Sequence, residues 1–270
     1  MKETIENMID YIAGADFFGS IGQILLQGPA DYPQAWAFVK SIFQNVALPL
    51  GFVLFLIYFL IALVDKSTTE TLNIEQIFKM FLKLIVALYL VQNSLNIVET
   101  LMDWGTLMVN KVSSAGLSAG TMGGVADDLK ALAAEETGNY GTMKSLGFII
   151  NLILPWAITW IINIIIKVQC YVRLFEMMIM ACGAPIATAD IFLEGTSGGA
   201  IRYLKRMLAV ALQGGIMLMI AMLFSSIAGA GIMSGASFSE YAGSYLVFGV
   251  AACLLIGKSN QIARDWVGVS

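Results

Sequence analysis

Two groups of charges lie where an apolar chain tolerates them least. Arg173 and Glu176 stand three residues apart in a run of apolar side chains, so on a helix they share a face and can pair. Ionisable groups at membrane depth are functional candidates by default. This pair reads either as a structural ion pair at the cytosolic interface or as polar lining near a cytoplasmic pore entrance. Arg202, Lys205 and Arg206 form the second group. They serve as topology anchors, or as a basic cytosolic rim that holds lipid headgroups or passing nucleic-acid phosphates. Amides recur in the apolar stretches at Asn93, Asn96, Asn151, Asn163 and Gln213, the last followed by Gly214 and Gly215. Small residues let helices approach and amides bond across them, so packing is the first reading and a polar lining the sharper one. Pro155, Gly183 and Pro185 are expected to bend or break the helices that hold them.

Hydrolytic chemistry has no support. The chain contains no His, which removes the commonest metal ligand and the usual neutral-pH proton shuttle. Cys170, Cys182 and Cys253 are far apart in apolar surroundings and lack the spacing of a zinc site or a disulfide framework. No phosphate-binding GxxxxGK[ST] loop occurs, and no acid pair stands near a nucleophile. The expectation is a protein that is not an enzyme, with no catalytic, metal or cofactor-binding residues and at most a bound phospholipid.

Composition says what environment must position these residues. Of 270 residues, 58% are hydrophobic and 13% charged, against about 45–50% and about 25% in a soluble domain. Mean hydropathy is +0.79. The net charge of −4 excludes a generally basic nucleic-acid coat but not a basic surface on one side of a membrane. The segment Met1-Lys2-Glu3-Thr4-Ile5-Glu6 turns acidic at once, unlike a cleavable signal peptide.

The expected architecture is an all-α integral membrane protein with about five transmembrane helices plus a re-entrant or interfacial helical segment. Residues 1–45 form an extracytoplasmic amphipathic segment, with Ile5, Met8, Ile9 and Ile12 on one face, lying on the outer leaflet or on a partner. Residues 46–112 hold the first two spans, the clearest being the charge-free Val46 to Val64, and the second long enough to continue to Val112. Residues 113–144 form an extracytoplasmic Gly/Ser-rich loop with at most one short helix from Val125 to Glu135. Residues 145–206 hold the third span, the re-entrant segment 168–189 and a cytosolic basic connector. Residues 207–270 hold the last two spans and a short cytoplasmic tail.

Charge sides choose this arrangement. With the N-terminus outside and the C-terminus cytoplasmic, Lys66, Lys79, Lys83, Lys167, Arg173, Arg202, Lys205, Arg206, Lys258 and Arg264 collect on the cytosolic face. Lys2, Lys40, Lys111, Lys130 and Lys144 remain outside. A sixth span at 168–189 would erase that bias.

From Arg173 to Met222 the chain reads RLFEMMIMACGAPIATADIFLEGTSGGAIRYLKRMLAVALQGGIMLMIAM. This resembles the polytopic inner-membrane channel subunit of type IV secretion machines, the TrbL-like family of conjugation proteins. The similarity lies in the Arg with a nearby Glu, Ala184-Pro185-Ile186, a Gly-rich polar connector, Arg202-Tyr-Leu-Lys205 and Ala211-Leu-Gln213 opening a span. The resemblance implies a membrane channel or scaffold component that helps pass DNA, with bound protein, across the cytoplasmic membrane. It implies a homo-oligomer whose partners are other copies, the machine's other membrane subunits and ATPases, membrane lipid, and translocating DNA. The rival expectations are a small-solute transporter or ion channel with its site at broken helices, and a structural scaffold without a pore.

Overall fold

The computed structural model describes residues 2–13, 15–69, 74–115, 120–138, 142–190, 198–229 and 238–269. Every element among them is helical. In chain order these are α1 (Lys2–Ala13), α2 (Ala15–Leu26), α3 (Pro33–Ile42), α4 (Leu48–Thr69), α5 (Ile74–Gln92), α6 (Ser94–Ser114), α7 (Gly120–Glu136), α8 (Thr142–Thr188), α9 (Gly199–Gly229), α10 (Phe238–Gly257) and α11 (Ser259–Val267). They form two compact units, each knit from three separate chain segments. The first gathers Met1–Leu26, Met108–Val172 and Gly214–Ser259; the second gathers Gln27–Leu107, Arg173–Gln213 and Asn260–Ser270.

In the first unit, α1 buries its apolar stripe inside the protein rather than in a leaflet. Ile5, Ile9 and Ile12 are fully covered by Ala126, Leu129 and Ala133 of α7 and by Phe148 and Leu152 of α8. The i, i+4, i+7 spacing puts the three isoleucines along one face. Lys130 reaches from α7 to Asp10 of α1 at 2.5 Å, and Tyr11 leans on Trp156 at 5.9 Å between ring centroids. The outer connector expected as a loop thus contains a 17-residue helix with a packing role.

In the second unit, the first long apolar helix starts earlier than Val46. A helical run from Pro33 to Asp65 is long and apolar enough to cross a membrane. A five-residue π turn at Phe43–Ala47 joins α3 to α4. Pro49 lacks an N–H and its ring crowds the carbonyl of Asn45, and the wider turn gives that ring room. The second long helix is not continuous to Val112. It bends by 61° between Phe78–Gln92 and Ser94–Ser114. Asn93 sits at the bend, where its amide donates to the Tyr89 carbonyl at 3.0 Å, and Ser94 donates to the Val91 carbonyl at 2.9 Å.

The segment 168–189, expected as re-entrant or interfacial, does not turn back on itself. Residues 168–188 continue the third apolar helix without a break, and α8 runs 47 residues, about 70 Å at 1.5 Å per residue. Pro155, Gly183 and Pro185 all lie inside it as helical residues. Soluble-protein rules make such prolines breaks because water competes for the freed carbonyls. In apolar or packed surroundings that competitor is excluded, and one lost backbone bond is tolerated within a helix held along its length. Each proline frees the carbonyl four residues before it, that of Asn151 or Ala181, while the nearby Thr159 and Thr188 hydroxyls bond the Pro155 carbonyl at 2.9 Å and the Ala184 carbonyl at 2.8 Å.

Among the described residues three helical runs can span a membrane by length and composition: Pro33–Asp65, Lys144–Thr188 and Gly199–Phe224. The count reaches five if each bent pair, Phe78–Gln92 with Ser94–Ser114 and Leu246–Gly257 with Ser259–Val267, is one span. Residues 116–119 of the Gly/Ser-rich segment lie outside the described residues, as do 230–237.

Candidate functional site: the α8–α9 hairpin

Within the second unit the end of α8 and the start of α9 pack antiparallel. The register is set by three contacts in step. Arg173 meets Val210 and Ala211, Glu176 meets Arg206, and Tyr203 meets Met180. Each shift toward the C-terminus on α8 is matched by a shift toward the N-terminus on α9.

Arg173 is only 3% exposed. Its Nε donates to the Val210 carbonyl at 3.1 Å and its Nη2 to the Ala211 carbonyl at 2.9 Å. A guanidinium can do this because its donors form a rigid planar fork, while helix carbonyls keep a second lone pair free. A buried cation is tolerated only when its donors are occupied. Gly105 of α6 arrives at the same carbonyl, so that a Cβ there would fall on the Ala211 backbone. Three helices therefore converge on one peptide group.

The pair expected within α8 is replaced by contacts to other helices. Glu176 accepts from Arg206 of α9 and from Asn260 of α11, each at 3.4 Å. Arg206 is half exposed there, so the ion pair adds at most about 1 kcal/mol. At the tip of the hairpin, Asp190 accepts from the Ala200 backbone N–H at 2.8 Å. It caps the first turn of α9 from outside the helix and places a carboxylate against the positive end of its dipole. Tyr203 closes the hairpin with its hydroxyl on the Met180 carbonyl at 2.5 Å.

Arg202, Lys205 and Arg206 open the helix that follows the connector. They stand in the first two turns of α9, all exposed. The structure brings Arg206 to Glu176 and leaves Arg202 and Lys205 along the same exposed edge.

The amides divide. Gln213 is buried, as are Gly214 and Gly215 beside it. A Cβ on Gly215 would enter the Met108 side chain, 2.6 Å from its Cγ. Small size at Gly215 is thus what lets Met108 pack. Asn163 is buried at 8% exposed, whereas Asn151 is exposed. Asn96 donates to the Asn93 side chain at 3.4 Å, so these two amides serve the local bend rather than a neighbouring helix. A Cβ on Gly183 would meet open space, but one on Gly51 of α4 would stand 2.8 Å from the Pro185 backbone. Sequence reasoning missed Gly105 and Gly51, and a glycine within an apolar helix was the available signal.

A family model described as TrbL/VirB6 plasmid conjugal transfer like protein matches residues 16–185. No curated protein matches the chain, and no solved structure does. The match includes Arg173, Glu176 and Pro185 but ends before the α9 part of the hairpin.

Proposed function

The chain belongs to the TrbL/VirB6 plasmid conjugal transfer-like family, and from that membership we propose that it is a channel or scaffold subunit of a conjugative secretion machine. It sits as a multi-pass protein in the bacterial cytoplasmic membrane, N-terminus out and C-terminus in. Copies assemble into a ring beside the machine's other membrane subunits and ATPases. DNA with bound protein passes along that ring. The α8–α9 hairpin faces the cytosol, with Arg202, Lys205 and Arg206 on the rim that meets phosphates.

The family match over more than half of the chain carries this reading. The apolar helices support the membrane setting. The hairpin supports the site: Arg173 and the Asp190 cap fix the backbone that presents the basic edge. The solute-transporter alternative drew on broken helices at Pro155 and at Gly183–Pro185, and α8 is continuous through both.

A photoreactive amino acid at Lys205 tests the reading during mating. Adducts with the transferring strand, dependent on an active donor ATPase, are expected. Their absence in a transfer-competent variant contradicts DNA passage along this rim and leaves a scaffold.

A further inference from the structure

Beyond Lys167, α8 is apolar on two faces. One is buried and includes Leu174, Met177, Met178 and Ala181. The other is bare: Val168 is 50% exposed, Val172 49%, Phe175 59%, Ile179 71% and Ile186 39%. With the half-buried Cys182, these positions are spaced 4, 3, 4, 3 and 4 residues apart. That is the heptad spacing of a coiled-coil seam. We propose that this stripe is where α8 of one protomer meets α8 of a second copy, in parallel. The inference rests on the reading of the chain as an oligomeric membrane subunit, and names the surface that joins the copies.

Lipid alone cannot cover the exposed face. Bare apolar side chains run along α8 from Leu146 to Ile186, about 60 Å at 1.5 Å per residue. The hydrocarbon layer is about 30 Å thick. Lipid cover along the whole face requires a tilt of about 60°, beyond the roughly 0–40° that membrane helices adopt. The charge-free stretch 145–166 already fills the layer, and the exposed Lys167 closes it. The stripe beyond needs protein.

Symmetry and side-chain type select a second copy. Copies inserted alike in one membrane share an axis normal to it, and a stripe that faces that axis meets its own counterpart in parallel. Parallel pairs favour β-branched residues in the a layer. Val172, Ile179 and Ile186 occupy one layer of the stripe, with Val168, Phe175 and Cys182 in the other. Glu176, next to Phe175, is held by Arg206 and Asn260, which keeps the seam free of an unpaired carboxylate. The stripe is shorter than the three to four heptads usual for a coiled coil in water. Anchoring in one bilayer supplies the orientation and the local concentration.

The test uses the full chain in native membranes, with Cys170, Cys182 and Cys253 replaced by serine. Single cysteines go in at Val172, Phe175 and Ile179, at the off-stripe Tyr171 and Met180, and at the lipid-facing Ile150 and Leu154. Mild oxidation is expected to give covalent dimers at the three stripe positions about fivefold above the other four, since only facing Cβ pairs meet disulfide geometry. Equal yields everywhere, or none, overturn the seam. Ile179→Asp is expected to shift the native assembly to monomer at unchanged protein level, and an unshifted assembly also overturns it. Plasmid transfer is scored separately. Lost crosslinks with transfer still gene-dependent sink the seam alone, whereas crosslinks without gene-dependent transfer sink the secretion reading alone.

Discussion

Replacing Gly105 by alanine drives a methyl group into the backbone of α9. The new Cβ would stand 2.8 Å from the Ala211 carbonyl carbon and 3.1 Å from its Cα, against about 3.5–4.0 Å for a relaxed carbon pair. Backbone cannot rotate away as a side chain can, so α6 and α9 must separate by several tenths of an ångström. Overpacking of this kind costs about 1–3 kcal/mol. The better helix propensity of alanine returns about 0.5–1 kcal/mol. The net loss is about 1–2 kcal/mol, or a few degrees of melting temperature for a chain of this size. Gly249 supplies the control, because a Cβ there lies an ordinary 3.7 Å from the Ile162 Cδ1, so Gly249→Ala is neutral or raises stability by up to about 1 kcal/mol. Gly215→Ala falls between, since the Met108 side chain it meets is flexible. Thermal unfolding in one detergent, with all three variants side by side, reads the order. The damage at Gly105 also shrinks when Arg173 is already replaced, because both act on the Ala211 carbonyl. A Gly105→Ala protein as stable as the parent, or a Gly249→Ala protein less stable than Gly105→Ala, refutes the reasoning.

Arg173→Lys keeps the charge but cannot span two carbonyls as a fork, so it loses one charge-assisted bond, about 1.5–3 kcal/mol; chemical denaturation in detergent should place it between the parent and Arg173→Ala. Neutralising Arg202, Lys205 and Arg206 together to glutamine should lower plasmid transfer by more than about tenfold while immunoblots show normal protein level, because the edge is exposed and Asn260 still holds Glu176. The Lys130 ammonium is held above the ordinary 10.5, first by its hydrogen bond to Asp10 and then, against the opposing effect of burial, by the charges of Asp10, Asp127 and Glu6. A raised folded-state value means that the α1–α7 contact keeps its full strength below about pH 10.5 and loses it as pH climbs through the folded value. Amide exchange of α1 should therefore be flat from pH-corrected neutral to mildly alkaline conditions and accelerate above that, and Asp10→Asn should remove the alkaline step.

Much of the local architecture was legible because its signals are local. The stripe of Ile5, Ile9 and Ile12 announced a helix with one buried face. Its cover was hidden, because α7 is a Gly/Ala-rich stretch whose packing surface is mostly small side chains. The charge-free runs marked where apolar helices lie, but not that α8 is continuous. Pro155 and Pro185 each cost one backbone bond, and Pro185 is buried by packing that no local sequence pattern shows. The bend at Asn93 did carry a signal, the polar cluster Gln92-Asn93-Ser94 inside an apolar helix. The candidate site was legible in its residues and not in its pairings. Arg173 and Glu176 stood out by type, yet Arg173 binds carbonyls, which every residue carries and no sequence pattern flags. Glu176 finds Arg206 only through the hairpin register, a property of two helices and not of either alone.

The most direct measurement is a mating assay. The coding sequence is deleted in frame from its native element, supplied again in trans, and recipients that gain the element are counted. Transfer is expected to collapse on deletion and to return on complementation. Transfer that persists at the parental level without the protein contradicts its role as a subunit of the secretion machine.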